Sequence, residues 1–198
     1  MISTKIRDAV AEDVDKIAKL YIKSVHTHFK GTLPDEELAM WKYENEKQHL
    51  MNQITDKKIR IRILQSDNGE LVGFTRFGAD PDNSNNGNLE SIFIKDIYHN
   101  RKHGTLLFKD AQAELLAMGF NHMVLWTPTK GSAHGFYQKL GGIKCGQKIN
   151  EIHFDLTAYS WVLTTQCKGQ PELSRSVDHN DLKYQLFFKT DSGSSGCP

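Results

Sequence analysis

Between residues 89 and 140 the chain alternates strand-like and helix-like segments, and this succession limits the fold more than any other feature. Residues 89–94 read as a strand, 105–118 as a helix, 122–127 as a strand and 132–140 as a helix. Such a β-α-β-α unit calls for a sheet covered by helices. Upstream, Val14, Ile17, Ala18, Tyr21, Ile22 and Val25 follow the i, i+3, i+4, i+7 spacing of an amphipathic helix. Glu12, Asp13 and Asp15 fall in its first turn, where the helix dipole favours carboxylates, so they read as structural. Pro34 marks a stop and restart before a second helical stretch, about 35–53.

Ile59, Ile61 and Ile63 alternate with Arg60 and Arg62, the pattern of a strand with one buried face. Ser66-Asp67-Asn68-Gly69 then turns the chain back into 71–78, a β-hairpin. The asparagine-rich stretch 79–88 reads as an exposed loop. A first strand at 2–9 and closing strands at 143–147 and 152–163 complete a mixed α/β (α+β) domain.

A length of 198 residues suits one domain with a single sizeable core. Apolar and charged shares of 38% and 25% are those of a soluble globular chain. The 25 basic residues nearly cancel the 24 acidic ones, so no long-range field recruits nucleic acid or an anionic membrane. The mixed charges of residues 1–10 and the lack of a long apolar run point to a cytoplasmic protein. Cys145, Cys167 and Cys197 have no CxxC spacing and read as free thiols, with no metal site expected. His26 and His28 stand two apart on one helix and cannot share a face for a metal. Beyond Thr164 the chain turns polar, so residues 1–164 read as the domain and 165–198 as a C-terminal extension whose one apolar patch is 184–188.

The turn Asp96-Ile97-Tyr98-His99-Asn100-Arg101-Lys102-His103-Gly104 joins a strand to a helix. A helix start leaves backbone N–H groups unpaired and carries partial positive charge, so this turn can hold a pyrophosphate where Gly104 lets the backbone approach. Arg101, Lys102 and His103 add basic side chains. An ordinary basic strand-helix connection would look the same in isolation. Downstream, Val124-Leu125-Trp126-Thr127 precedes Ala133-His134-Gly135-Phe136-Tyr137-Gln138-Lys139-Leu140-Gly141-Gly142.

This order of strand, basic turn, helix, strand and A-x-x-F-Y-x-x-L-G resembles the GNAT superfamily of N-acetyltransferases, over about residues 4–163. The resemblance extends to Ile6-Arg7-Asp8-Ala9, Phe29-Lys30-Gly31, Leu33-Pro34-Asp35 and, as in some small-molecule members, Ala158-Tyr159-Ser160-Trp161. It implies a twisted, mainly antiparallel sheet splayed between its fourth and fifth strands, with acetyl-CoA as acyl donor in the cleft. By that resemblance the main chain of Ile92, Phe93 and Ile94 pairs with the pantetheine arm, and an amide near Ile94 faces the thioester oxygen. His99, Asn100, Arg101, Lys102, His103, Gly104 and Thr105 match the phosphate loop, with Lys102 where the family's first glycine stands. Lys130 takes the place of a pantetheine-contacting asparagine.

For catalysis, Glu90 is the candidate base, since strand alternation puts it on the face of Ile92 and Ile94; the other reading is a solvent-facing strand residue. Many relatives carry a carboxylate two residues earlier, where this chain has Asn88. Tyr137 matches the tyrosine that protonates the departing thiolate, a role suited to a phenol. Phe29, Trp41 and Tyr43 lie in the segment that roofs the acceptor site in the family, and His26 and His28 can line its mouth. Cys145 has no histidine at a diagnostic spacing and reads as inert. The activity implied is direct acetyl transfer to a primary amine of a small molecule; the rival is a non-catalytic acyl-CoA-binding module. A homodimer stays open.

Overall fold

The computed structural model describes residues 3–31, 33–149 and 155–164. The expected extension 165–198, with Cys167, Cys197 and the 184–188 patch, lies outside the described residues. Among the described residues seven strands form one sheet: β1 (Thr4–Asp8), β2 (Ile59–Ser66), β3 (Leu71–Ala79), β4 (Gly87–Ile94), β5 (His122–Pro128), β6 (Ile143–Ile149) and β7 (Asp155–Val162). Five α-helices accompany them: α1 (Val14–His28), α2 (Asp35–Leu38), α3 (Tyr43–Asp56), α4 (His103–Ala117) and α5 (His134–Lys139).

The strand order is β1-β2-β3-β4-β5-β7-β6. Among the described strands only β4 and β5 are parallel neighbours, and two residue pairs join them, Gly87 with Met123 and Asn88 with Val124. Beyond Asn88 the two strands part, which leaves the β5-facing backbone of β4 outside any ladder. The β4-α4-β5-α5 succession thus builds the expected mixed fold with its opening at the fourth and fifth strands.

Helices α1 and α3 cover one face through Ile17, Leu50, Ile61, Ile63 and Phe74. Helices α4 and α5 cover the other through Phe77, Leu89, Phe108, Leu115, Met123 and Tyr137. Each such large side chain contributes about 1.5–3 kcal/mol by leaving water. The two arginines of β2 are not simply solvent-facing. Arg62 makes two 2.9 Å bonds to the Asp110 carboxylate, and Arg60 pairs with Glu114, so the polar side of β2 docks α4. On the first turn, Arg7 grips both oxygens of Asp13 at 2.6 and 2.9 Å, which bears out a structural role for that acid.

Three of the departures from the expected boundaries have a clear physical reason. The 35–53 stretch is two helices, because residues 39–42 leave the helix while Leu38 and Trp41 turn into the α1 core. The 79–88 stretch is neither all loop nor all exposed: Ala79 ends β3, Gly87 and Asn88 start β4, and Asp80 and Asn86 are 5% and 9% exposed. The loop is knit internally by Asp80 N–H to Asn86 O at 2.8 Å and Asp82 N–H to Asp80 Oδ1 at 3.0 Å, which lets polar side chains go under cover. Finally, α4 starts at His103, two residues early, because Lys102 adopts the left-handed conformation as its N-cap. Among the described residues no helix is long and apolar enough to cross a membrane, and no three histidine, cysteine or acidic side chains group as metal ligands.

Candidate active site

The β4 strand carries a bulge. Phe77 pairs with Leu89 but Arg76 pairs with Ser91, so Glu90 is an extra residue without a partner of its own. The insertion reverses the alternation. Leu89 packs with Phe77 and Phe108, and Ile92 and Ile94 pack beside Leu107, all on the α4 face. Glu90 instead turns to α3, where its Oε2 accepts from Gln53 Nε2 at 3.4 Å. The expectation that Glu90 shares a face with Ile92 and Ile94 is therefore corrected, and the bulge is the reason.

The bulge is held by β3. Thr75 Oγ1 donates to Ser91 O at 3.0 Å, and Arg76 Nε donates to Ser91 Oγ at 3.0 Å. Arg76 is buried; its Nη1 bonds Glu46 Oε1 at 2.9 Å, its guanidinium lies 4.7 Å from the Tyr21 ring centroid, and Nε stands 3.8 Å from Glu90 Oε2. Burial pushes the Glu46 carboxyl up although Arg76 opposes it, and burial, with Arg76 beyond it, pushes His49 down. Two carboxylates against one guanidinium leave this face acidic. Glu46, Arg76 and Ser91 escaped sequence reasoning, although a lone arginine inside the otherwise apolar and small strand Leu71–Ala79 was a usable signal.

At the far end of β4 the backbone turns into α4. Asn100 and Lys102 both take positive φ, 59° and 63°, so Lys102 adopts the conformation a glycine would take freely. Helix α4 has no side-chain cap, and the N–H groups of His103, Gly104 and Thr105 precede its first ladder bond, Leu106 N–H to Lys102 O at 3.0 Å. Gly104 is helical, and its service is packing: a Cβ there would stand 3.3 Å from the Phe136 ring. The basic side chains divide. Arg101 lies 5.8 Å from the Tyr98 ring centroid and, with Lys102 and Asn100, is exposed. His103 is buried edge-on to Tyr98, its Nδ1 without a hydrogen-bond partner, and burial pushes its pKa down. His99 Nε2 bonds Ile94 O at 2.8 Å and so clasps the strand end.

On α5, Phe136 bridges to Phe108 and Tyr137 is buried among Phe136, Tyr159 and Trp161, with ring centroids 5.4–6.2 Å away. Burial raises the Tyr137 phenol well above its ordinary value, which keeps it protonated at neutral pH. His134, also missed, locks this corner. Its Nε2 faces two carbonyl acceptors, Pro128 O at 3.0 Å and Thr129 O at 2.9 Å, and so carries a proton, while Nδ1 lies 2.9 Å from Tyr159 OH. Lys130 is exposed in the turn just before α5. Cys145 is half-buried, and burial raises its thiol.

His26, Phe29 and Trp41 do come together: His26 Nε2 is 3.3 Å from Trp41 O, and the Phe29 and Trp41 rings are 6.5 Å apart. A cavity of 510 Å³ lined by His26, Thr27, Lys30, Asp35, Leu38 and Ala39 opens beside them. They sit at the phosphate-turn end of β4 rather than by Glu90, since the neighbouring His28 ring is 6.5 Å from His99.

Comparison with known proteins agrees with this geometry. The family model described as the acetyltransferase (GNAT) family matches residues 22–142. An uncharacterised N-acetyltransferase of Bacillus subtilis (strain 168), YuaI, is 24% identical over 172 residues, covering 85% of this chain and 94% of that protein. Among solved structures, the PaiA N-acetyltransferase of Thermoplasma acidophilum in complex with coenzyme A superposes with a TM-score of 0.68 at 20% identity, over 81% of this chain and all of that one. A ribosomal-protein-alanine N-acetyltransferase from Brucella melitensis gives 0.63 at 18% identity, over 80% of this chain and 99% of that one.

Proposed function

Because the chain belongs to the acetyltransferase (GNAT) family, its model matching 121 residues from 22 to 142, we propose that it moves an acetyl group from acetyl-CoA to a primary amine of a small molecule by direct transfer. The observation that carries this reading is the parting of β4 from β5 after two residue pairs, which opens a free strand edge that runs to the uncapped N-terminus of α4. That donor set fits coenzyme A: strand amides for the pantetheine arm at Ile92, Phe93 and Ile94, and the N–H groups of His103, Gly104 and Thr105 for the pyrophosphate. Asn100, Arg101 and Lys102 are exposed around the phosphate turn, His99 steadies it, and Lys130 is exposed in the turn before α5. Acetyl-CoA supplies the thioester and a thiolate leaving group.

An alkylammonium is only ~0.1% neutral at pH 7, a cost of about 4 kcal/mol before bond formation. Glu90 takes that proton, directly or through water. The bulge turns it away from the cleft's α4 side and toward α3, where Arg76 Nε stands 3.8 Å from its Oε2. A β4 amide near Ile94 holds the oxyanion. Tyr137, protonated in its buried setting, donates to the departing sulfur. A small acceptor fits better than a protein tail because α3 lies against the base, with Gln53 Nε2 3.4 Å from Glu90 Oε2, which narrows the approach to it.

The rival is an acyl-CoA-binding module without chemistry, favoured by Asn88, which stands where many relatives carry a carboxylate. The test pairs calorimetry of coenzyme A binding with acceptor-dependent thiol release from acetyl-CoA across a panel of small amines. Turnover with at least one amine is expected; tight binding with no turnover on any acceptor sinks the catalytic reading.

A further inference from the structure

Three buried polar atoms lie beside the β5-β7-β6 half of the sheet. Asp80 Oδ2, Asp82 Oδ2 and Lys148 Nζ each have no hydrogen-bond partner among the described residues, and Asp80 is 5% exposed. The aspartates belong to the β3–β4 loop and Lys148 to β6, where its Nζ stands 4.3 Å from the Trp126 ring centroid. Asp82 and Lys148 face and attract each other, though no ordinary hydrogen bond joins Asp82 Oδ2 to Lys148 Nζ. Burial pushes both carboxyls up and the ammonium down, and Lys148 answers two carboxylates with a single charge, so the cluster holds one carboxylate in excess.

The face is shared with Glu90. Met123 and Leu125 point to α4, so Val124 and Trp126 point the other way, and Asn88 is paired with Val124. Glu90 and Trp126 each lie two residues past that last pair, on adjacent strands, and Trp126 lies within reach of Gly146 on β6. Three strand spacings, about 14 Å, separate β4 from β6, but Lys148 reaches back over Trp126 of β5, so its Nζ lies over the strand next to that of Glu90.

We infer that Asp80, Asp82 and Lys148 form an acceptor subsite for an amino-acid zwitterion, whose ammonium bonds the two carboxylates and whose carboxylate bonds Lys148. The amine that is acetylated sits at the far end of the same molecule, so the acceptor is a diamino acid of about lysine length. This rests on the acetyl-transfer reading above. A plain diamine would set a second ammonium beside Lys148 and leave Nζ unsatisfied. A lone hydroxyl cannot serve two carboxylate oxygens and an ammonium. The zwitterion supplies three N–H donors and two acceptor oxygens and adds no net charge.

The experiment compares lysine, cadaverine, 6-aminohexanoate and glucosamine, by kcat/KM for thiol release from acetyl-CoA and by calorimetric binding to the protein saturated with coenzyme A. Lysine is expected to exceed each of the others at least tenfold in both. Lys148→Met is expected to erase the lysine advantage over cadaverine measured in the same variant, and Asp82→Asn its advantage over 6-aminohexanoate; coenzyme A binding reports that each variant is folded. Equal values for lysine and cadaverine in the wild-type protein, a preference for glucosamine, or no binding of lysine overturns the subsite without any variant. Selective lysine binding without turnover supports the subsite and removes the acetyl-transfer reading instead.

Discussion

Arg76 Nε donates to Ser91 Oγ at 3.0 Å, so a buried arginine of β3 grips β4 at the bulge that aims Glu90 toward α3. The same guanidinium neutralises Glu46, 2.9 Å from Nη1. Replacing Arg76 by Met strands a buried carboxylate, a loss of about 3–5 kcal/mol. Arg76→Met with Glu46→Leu removes both charges and is expected to recover most of that loss in urea denaturation. A double variant as unstable as the single one would show that Arg76 acts through packing alone.

Lys102 at φ 63° stores left-handed strain that costs about 1–2 kcal/mol for a residue with a Cβ. Lys102→Gly and Lys102→Ala delete the same charge but differ in tolerance for that φ. The glycine variant is expected to be the more stable by about 1 kcal/mol, a Tm difference of about 2–4 °C for a domain of this size. Identical melting curves would mean that the turn relaxes out of the left-handed region.

Much of this fold was legible because its periods are regular: α1 shows the 3.6 spacing from Val14 to Val25, and Ile59 to Ile63 shows the spacing of two. The phosphate turn and the Phe136-Tyr137 pair were legible as local motifs. The bulge was not. Glu90 and Ser91 are adjacent polar residues between Leu89 and Ile92, and nothing local says which of the two is the extra one or which face Glu90 takes. The break at 39–42 has neither Gly nor Pro and comes from packing of Leu38 and Trp41 on α1, and Asp80 is buried by contacts far along the chain. Such features are set by tertiary partners, which a local reading does not contain.

Asp13 ties the start of α1 to β1. Burial pushes its carboxyl up, but the bonds from Arg7 and from the Val10 N–H outweigh burial and hold it below the ordinary value. A depressed carboxylate stabilises the fold above its unfolded pKa, about 3.9, and that contribution fades as pH falls through the lower folded value. Asp13→Asn is expected to cost about 1.5–3 kcal/mol at pH 7, with the two denaturation curves converging below pH 4. A gap that stays constant down to pH 2.5 would assign the loss to shape rather than charge.

Tyr137 is the last case, and it separates chemistry from packing. Its ring sits between Phe136, Tyr159 and Trp161, contacts that phenylalanine keeps. The phenol, held protonated by burial, is what the variant lacks. Tyr137→Phe is therefore expected to lower kcat for thiol release by about 10²–10⁴-fold, the range of a lost general acid, with coenzyme A affinity and Tm near wild type. An acyl donor with a more acidic thiol needs less protonation as it leaves, so it should narrow the gap between variant and parent. A kcat deficit of the same size with both donors would place Tyr137 in positioning the cofactor, because a positioning loss does not depend on the basicity of the leaving sulfur.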